Sequence, residues 1–170
     1  MKQNKADRFL LGISIGGFAI LAISFMLMPV EGLGFVPGIL FWGGLLTGVV
    51  LQIVLEARRN SLFAKYNVKR ETMQKARNGL LSFRSNSLAA IADVLLIISA
   101  VATILTFILT KGTGYLCYVC LSALVFSFCM HCILNGRIYI FVKNQGKVRQ
   151  VLEQKKANTI NKGEGKNENR

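Results

Sequence analysis

The chain contains four long stretches that are almost free of charged side chains. Residues 9–28, 33–55, 88–110 and 114–134 hold one Asp, Glu, Lys or Arg between them, which is Asp93. A helix rises about 1.5 Å per residue, so about 20 apolar residues cross a hydrocarbon core of roughly 30 Å. The alternating polarity of a membrane β-barrel is absent, and a bilayer leaves no partner for unpaired backbone groups. The sequence therefore predicts an all-α integral membrane protein, a four-helix bundle.

The basic residues are distributed unevenly among the segments that join these stretches. All of the 21 Lys and Arg residues except Lys111 lie within residues 1–8, 56–87 and 135–170. In membrane proteins, Lys and Arg concentrate in the cytoplasmic connections. The N-terminal segment, the 56–87 loop and the C-terminal segment are therefore predicted to be cytoplasmic. The orientation is N-in and C-in, with short outer hairpin turns between the paired helices.

More than one structure is compatible with the sequences of the predicted cytoplasmic segments. The basic 56–87 loop is partly amphipathic, which fits either a helix lying at the membrane interface or extensions of the neighbouring helices. Residues 135–153 contain a β-branched and aromatic run followed by Asn-Gln-Gly, which is compatible with a hairpin. The spacing of Val148, Val151 and Leu152 favours instead a fourth helix that continues to about residue 153. Residues 157–170 are polar and aperiodic and are predicted to be disordered.

Composition and charge narrow the classes of partner. Hydrophobic residues make up 52% of the chain and charged residues 17%, below the roughly one quarter of soluble domains. The net charge of +13 would suggest nucleic acid in a soluble protein, but the basic residues flank the apolar stretches and no nucleic-acid motif is present. We expect these residues to meet the anionic headgroups of the bilayer and not nucleic acid. Richness in Lys, Asn and Ile, with no N-x-Ser/Thr site, favours the plasma membrane of a prokaryotic cell.

Two ionisable side chains fall at similar depth in the third and fourth predicted spans. Asp93 lies near the predicted cytoplasmic start of the third span, and His131 lies near the end of the fourth. Such a pair is able to relay protons or hold a cation, or to form a structural hydrogen bond. The first interpretation would make the protein a small oligomeric transporter or channel that uses Asp93. In size and span number the chain is similar to the small multidrug resistance family, whose essential acidic residue lies instead in the first helix.

A polar face runs along the third predicted helix. Its hydroxyl side chains are spaced three or four residues apart, at Ser99, Thr103, Thr106 and Thr110. Such hydroxyls usually bond a neighbouring helix or the backbone of their own helix, and less often line a path for ions.

Two Cys-x-x-Cys pairs lie in the fourth predicted span. Cys117 and Cys120 stand at its outer start, where the positive end of the helix dipole favours a thiolate. A four-span chain with this motif at the start of its fourth helix resembles vitamin K epoxide reductase. The resemblance implies thiol-redox chemistry that passes electrons from Cys117 and Cys120 to a quinone, although that family has a further cysteine pair and no cysteine precedes Cys117 here. For Cys129 and Cys132 the sequence supplies no further zinc ligands, so neither a metal nor a cofactor is predicted.

Small residues recur at four-residue spacing in the first two spans. Gly12 and Gly16 form one stripe, and Gly44 and Gly48 form another. Such stripes let helices approach closely and predict helix packing, within the chain or between copies. Since no catalytic motif is present, the leading interpretation is a non-enzymatic component, of accessory, scaffold or immunity type. It would act by helix association, as a homo-oligomer or with another membrane protein.

Overall fold

A computed structural model of the chain describes residues 2–66, 81–112 and 114–164. These residues form helices and no strand: α1 (Lys2–Leu27), α2 (Val36–Lys65), α3 (Ser87–Thr110), α4 (Tyr115–Asn135) and α5 (Arg137–Glu164). Four helical segments, one in each predicted span, are long and apolar enough to cross a membrane. The predicted all-α fold with four spanning helices is therefore confirmed.

Local sequence fixes the ends of the spanning helices. Pro37 stands in the first turn of α2, where its missing N–H costs no hydrogen bond. Asn86 caps α3, because its Oδ1 accepts a hydrogen bond from the N–H of Ala89 at 3.0 Å. Lys111 ends α3 in the left-handed region, with φ 53°, and Gly112 follows with φ 77°. This reversal makes the turn between α3 and α4 short, so the two helices lie antiparallel.

The spanning helices pack in the order α2, α1, α4, α3. α1 and α4 are central and contact each other, whereas α2 and α3 do not meet in the described part of the chain. Ser122 of α4 joins the two hairpins, because its hydroxyl donates to the carbonyl oxygen of Ala22 in α1 at 2.6 Å. Ser99 of α3 and Ser127 of α4 share a hydrogen bond of 2.8 Å. The hydroxyls of Thr103, Thr106 and Thr110 bond backbone carbonyls within α3.

The backbones of α1 and α2 approach most closely around three glycines. A Cβ atom on Gly17 would lie 2.8 Å from the backbone nitrogen of Gly48, and one on Gly44 would lie 2.6 Å from the carbonyl oxygen of Gly17. Gly44 and Gly48 are thus part of a helix contact within the chain. Gly12 and Gly16 are exposed, and a Cβ on either would meet no atom within 4 Å. Within the chain, the face of α1 that packs on α2 therefore lies one residue, or about 100°, further round the helix than Gly12 and Gly16. Packing of Gly12 and Gly16 between copies stays a prediction.

α5 is a separate helix that turns away from α4. Gly136 between them is extended, with φ −75° and ψ 155°, and a Cβ there would lie 2.8 Å from the carbonyl oxygen of Cys132. α5 contacts α1, α2 and α4. The hairpin alternative for residues 135–153 is therefore wrong. The favoured alternative is borne out for residues 137–153, which are helical, with one break in the helix at Gly136.

Two predicted boundaries also change. α2 continues to Lys65, so the loop does not begin at residue 56. α5 continues to Glu164, so residues 157–164 are helical where disorder was predicted. Lengthening an existing helix adds one hydrogen bond per residue and requires no apolar face, which is why composition alone is misleading here. The predicted interfacial helix falls largely on residues 67–80, which lie outside the described residues.

One end of the molecule collects the start of α1, the end of α2, the segment 81–87, the end of α4 and α5. All described Lys and Arg residues except Lys111 lie here, and we call it the basic end. Ion pairs and hydrogen bonds between α1, α2 and α5 hold these parts together. The sequence predicts that this end faces the cytoplasm.

Candidate functional site

The structure brings Asp93 and His131 together near the basic end. Oδ1 of Asp93 lies 2.6 Å from Nδ1 of His131 and accepts a hydrogen bond from Nδ2 of Asn135 at 2.8 Å. Oδ2 of Asp93 accepts the backbone N–H of Arg84 at 2.7 Å. Asp93 is only 4% exposed, and His131 and Asn135 are also buried. We call Asp93, His131, Asn135 and the Arg84 N–H the Asp93 network.

The Asp93 network fastens the segment before α3 to the end of α4. Ser85 donates its hydroxyl to Oδ1 of Asn135 at 2.8 Å, and the side-chain amide of Asn86 donates to the carbonyl oxygen of Leu134 at 3.0 Å. The ring of Phe83 lies 4.8 Å from the ring of His131. Four consecutive residues of an irregular segment, 83–86, are therefore positioned by contacts with the Asp93 network and the end of α4.

The Asp93 network has the geometry of an oriented carboxylate–histidine pair. A buried carboxylate is unfavourable unless it is paired and hydrogen-bonded, and here both oxygens of Asp93 accept hydrogen bonds. Arg84 holds a left-handed backbone, with φ 51°, which costs a non-glycine residue about 1 kcal/mol. The strain is compensated because this conformation presents the Arg84 N–H to Asp93. The arrangement can hold the histidine in a fixed orientation, and it also joins α3 to α4.

A second buried carboxylate, which the sequence analysis did not single out, lies at the start of α1. Asp7 is 1% exposed. Its Oδ1 accepts from Nη1 of Arg58 at 2.7 Å, and its Oδ2 accepts from Nε2 of Gln145 at 2.7 Å. Asp7 thus ties α1 to both α2 and α5. The signal in the sequence is modest: Asp7 is the one acidic residue in a basic N-terminal segment, two positions before the apolar stretch.

A cavity of about 330 Å³ opens beside Asp7 between α1, α2 and α5. Its basic lining residues are Arg58, Lys65 and Arg149. Gln145 also lines it and is 2% exposed, yet its Oε1 has no hydrogen-bond partner among the described residues. We call this space the Asp7 cavity.

Glu56 forms a third polar contact at the basic end. Its Oε1 accepts from Nη1 of Arg59 at 3.0 Å and pairs with Nη2 of Arg137 at 2.9 Å. The guanidinium of Arg59 also lies over the ring of Phe63, 5.2 Å from its centre. The start of α5 is therefore fixed to the end of α2 by the Glu56–Arg137 ion pair and by the ring of Phe141, 6.1 Å from that of Phe63.

All four cysteines are free thiols. Cys117 is buried in the first turn of α4, and Cys120, one turn later, is half-buried, as are Cys129 and Cys132. Over residues 2–66, 81–112 and 114–164, no group of three or more His, Cys, Asp or Glu side chains is placed to hold a metal ion. Redox chemistry at Cys117 and Cys120 stays a prediction.

Comparisons of the chain with protein-family models, with curated proteins and with solved structures gave no match. The four apolar helices are those of a multi-pass membrane protein. Its function is therefore argued from the two buried carboxylates, the packing order of the helices and the basic end.

Proposed function

We propose that the protein is a non-enzymatic membrane component that acts by association of its helices, as an accessory or scaffold subunit or in an immunity-like role. The supporting observation is the position of α3, whose backbone closely approaches only that of α4 among the described helices. Its outward face is made of large apolar side chains, among them Ile91, Ile98, Leu105 and Ile108. Lipid tails and apolar side chains are about equally apolar, so a second helix can replace lipid on this face wherever it packs better.

The buried carboxylates support a role as a rigid scaffold. Asp93 binds groups from α4 and from the segment before α3, and Asp7 binds side chains of α2 and α5. Satisfied polar networks in a low-dielectric interior stiffen a structure and select one arrangement. Carboxylates that are hydrogen-bonded to neighbouring helices in this way keep those helices in register. A surface that binds a partner requires such a fixed arrangement.

The basic end supports an orientation with this end in the cytoplasm. The proposed location in the plasma membrane of a prokaryotic cell rests on the Lys, Asn and Ile content of the chain. The exposed side chains of Lys5 and Arg8 at the start of α1 are available to anionic headgroups. Each basic residue near such a surface contributes about 1 kcal/mol of attraction. The bilayer and a membrane protein, or a second copy of the chain, are the proposed partners.

Site-specific photocrosslinking tests the association. The full chain would carry a benzophenone amino acid at Ile98 of α3, which is 58% exposed, or at Ile53 of α2, which is 63% exposed as a matched position. After illumination in membranes and purification in mild detergent, we expect a protein adduct of defined mass from position 98 in excess of position 53. Lipid adducts alone at both positions, with a monomeric chain in native extracts, would refute the proposal.

Transport of a proton or ion through Asp93 is the second candidate. It is favoured by one observation, the contact of 2.6 Å between the buried carboxylate and Nδ1 of His131. In reconstituted liposomes, an Asp93→Asn variant should then lose the flux of the unsubstituted chain. Flux that is absent from both proteins, or equal in both, would dismiss this candidate and leave the association proposal untouched.

A further inference from the structure

The Asp7 cavity has a positive lining despite the carboxylate at its wall. Arg58, Lys65 and Arg149 line it, against Asp7 and Glu153. Both oxygens of Asp7 already accept hydrogen bonds, one from Arg58 and one from Gln145. The negative charge of Asp7 is thus largely neutralised by Arg58 inside the protein, and the cavity lining as a whole holds three basic side chains and two carboxylates. This balance favours an anion.

The hydrogen-bonding groups of the cavity define the ligand more closely. A guanidinium has five N–H donors, and the contact with Asp7 holds Arg58 in place while engaging Nη1. Gln145 offers the opposite chemistry, since its buried Oε1 accepts and has no partner among the described residues. An unpaired buried acceptor is unfavourable, because it has lost its hydrogen bond to water without gaining another. A ligand that satisfies both groups carries an anionic oxygen and, close to it, a hydroxyl donor.

The depth and size of the cavity match the headgroup region of a bilayer. Asp7 lies two residues before the apolar stretch that begins at Phe9, and Arg58 lies three residues after the stretch that ends at Leu55, so the inner wall of the cavity lies where spanning segments meet the polar interface. Lys65, about 15 Å beyond Leu55 along α2, lines its outer part. Its volume of about 330 Å³ is at the small end of the range for small-molecule sites. Leu62 adds an apolar side chain to the lining. Such a space fits a compact headgroup better than a large soluble cofactor.

We propose that the Asp7 cavity binds the phosphoglycerol headgroup of an anionic membrane lipid. This headgroup is a phosphate ester of glycerol, and the glycerol carries the hydroxyl groups. Arg58, Lys65 and Arg149 bind the phosphate oxygens, and Oε1 of Gln145 accepts a hydroxyl of the glycerol. Asp7 acts as a positioning residue, because it orients Arg58 and Gln145 and because both of its oxygens already accept hydrogen bonds from them. This inference does not rest on the proposed association, since a monomer would hold the lipid equally well.

Native mass spectrometry of the full chain in mild detergent tests the site. Phosphatidylglycerol is titrated against phosphatidic acid, which lacks the glycerol hydroxyls, and against neutral phosphatidylcholine. We expect phosphatidylglycerol to bind most tightly. In a Lys65→Gln/Arg149→Gln variant its affinity should fall at least about tenfold, the loss expected for one charge-assisted hydrogen bond.

A matched variant separates the site from general charge attraction. Lys143→Gln/Lys147→Gln removes the same charge from exposed positions of α5 outside the cavity lining, and its affinity for phosphatidylglycerol should change less than about twofold if the cavity binds the headgroup. Equal losses in both double variants, or no preference of the unsubstituted chain for phosphatidylglycerol, would overturn the proposal. Equal thermal stability of the two variants verifies that both are folded.

A soluble probe distinguishes the source of the phosphate. Glycerol phosphate is added to the chain in nanodiscs of pure phosphatidylcholine, and binding is followed by calorimetry. Weak or absent binding of this probe, beside tight binding of phosphatidylglycerol, supports a lipid ligand. Binding of the soluble probe as tight as that of the lipid would overturn the membrane source and assign the site to a free polyol phosphate.

Discussion

At the scale of single residues, Asp93 is tolerated in an apolar span because three different groups bind it. The Arg84 N–H comes from an irregular segment, whereas His131 and Asn135 come from successive turns of α4. Ionisable side chains within membrane spans are unfavourable and are normally kept by such internal partners. The contact is therefore a stability determinant as well as a candidate site.

Replacement of Asp93 tests its contribution to stability. Asp93→Ala leaves the Arg84 N–H and the side chains of His131 and Asn135 without their acceptor, and we expect a loss of about 2–4 kcal/mol in the free energy of unfolding. Asp93→Asn keeps the shape and one acceptor oxygen and should lose less. The measurement is equilibrium unfolding in mixed detergent micelles. Thr103→Val is the control, because that hydroxyl bonds only its own helix, and a loss there as large as in Asp93→Ala would contradict the assignment.

Sequence reasoning paired Asp93 with His131 but missed the groups around them. The pairing follows from antiparallel neighbours joined by a short turn, which sets depth by counting residues. The Arg84 N–H and Ser85 join the network only because the backbone at Arg84 is left-handed, and no periodicity signals that. The sequence analysis missed Asp7 for a similar reason, since its partner Gln145 lies 138 residues away in the chain.

At the scale of helices, the contact between α1 and α2 shows that a shift of one residue moves a small-residue stripe off the packing face. Gly16 and Gly17 are neighbours in sequence, yet Gly16 is exposed and Gly17 is buried against α2. Ser14 lies on the same buried face and donates to the carbonyl oxygen of Gly48 at 2.9 Å. Four-residue spacing alone is satisfied by several registers, and the side chains across the contact decide among them.

Alanine substitutions at the two neighbouring glycines give opposite results if this register is right. Gly17→Ala places a methyl group 2.8 Å from the backbone nitrogen of Gly48, so the helices must separate, and we expect a loss of about 1–3 kcal/mol in stability. Gly16→Ala meets open space and should be neutral or gain up to about 1 kcal/mol from helix propensity. Thermal unfolding in detergent compares the two. A larger loss at position 16 than at position 17 would show that α1 is rotated.

α5 was ambiguous in sequence because its first residues suit both a strand and a helix. Long-range contacts decide for the helix: Phe141 packs its ring 6.1 Å from that of Phe63, and Gln145 bonds Asp7. These contacts place α5 across the ends of α1 and α2. The conformation of this segment is thus set by packing partners far away in sequence and not by local propensity.

Removal of the Asp7 carboxylate should loosen α5 selectively. Asp7→Ala leaves Nε2 of Gln145 without its acceptor and frees Arg58, so amide hydrogen exchange in residues 137–154 should accelerate at least about tenfold. Exchange in α3 should be unchanged, because the backbone of α3 closely approaches only that of α4 among the described helices. Lys147→Gln, at an exposed position of α5 outside the cavity lining, is the control. Acceleration spread equally over all helices would indicate global destabilisation and contradict a local role.

At the scale of the whole molecule, the structure consists of two helical hairpins joined at their central helices and covered at one end by α5. Buried hydrogen bonds between chain segments occur near that end, at Asp7 and at Asp93, and also deeper in the bundle at Ser14 and Ser122. Hydrogen bonds and ion pairs consequently join several chain segments at the basic end, which also carries almost all of the described positive charge. Stability, the candidate lipid site and the topology signal thus coincide at one end.

The charge asymmetry predicts the orientation of the molecule, and cysteine labelling in intact prokaryotic cells measures it. Ala64→Cys in α2 and Lys147→Cys in α5 place exposed thiols at the basic end, and Glu31→Cys places one in the turn at the opposite end. A membrane-impermeant maleimide should label position 31 in intact cells and label positions 64 and 147 only after permeabilisation, because basic connections stay in the cytoplasm. The unsubstituted chain, with its own four thiols, gives the background. Labelling of position 147 in intact cells would invert the topology and place the Asp7 cavity in the outer leaflet.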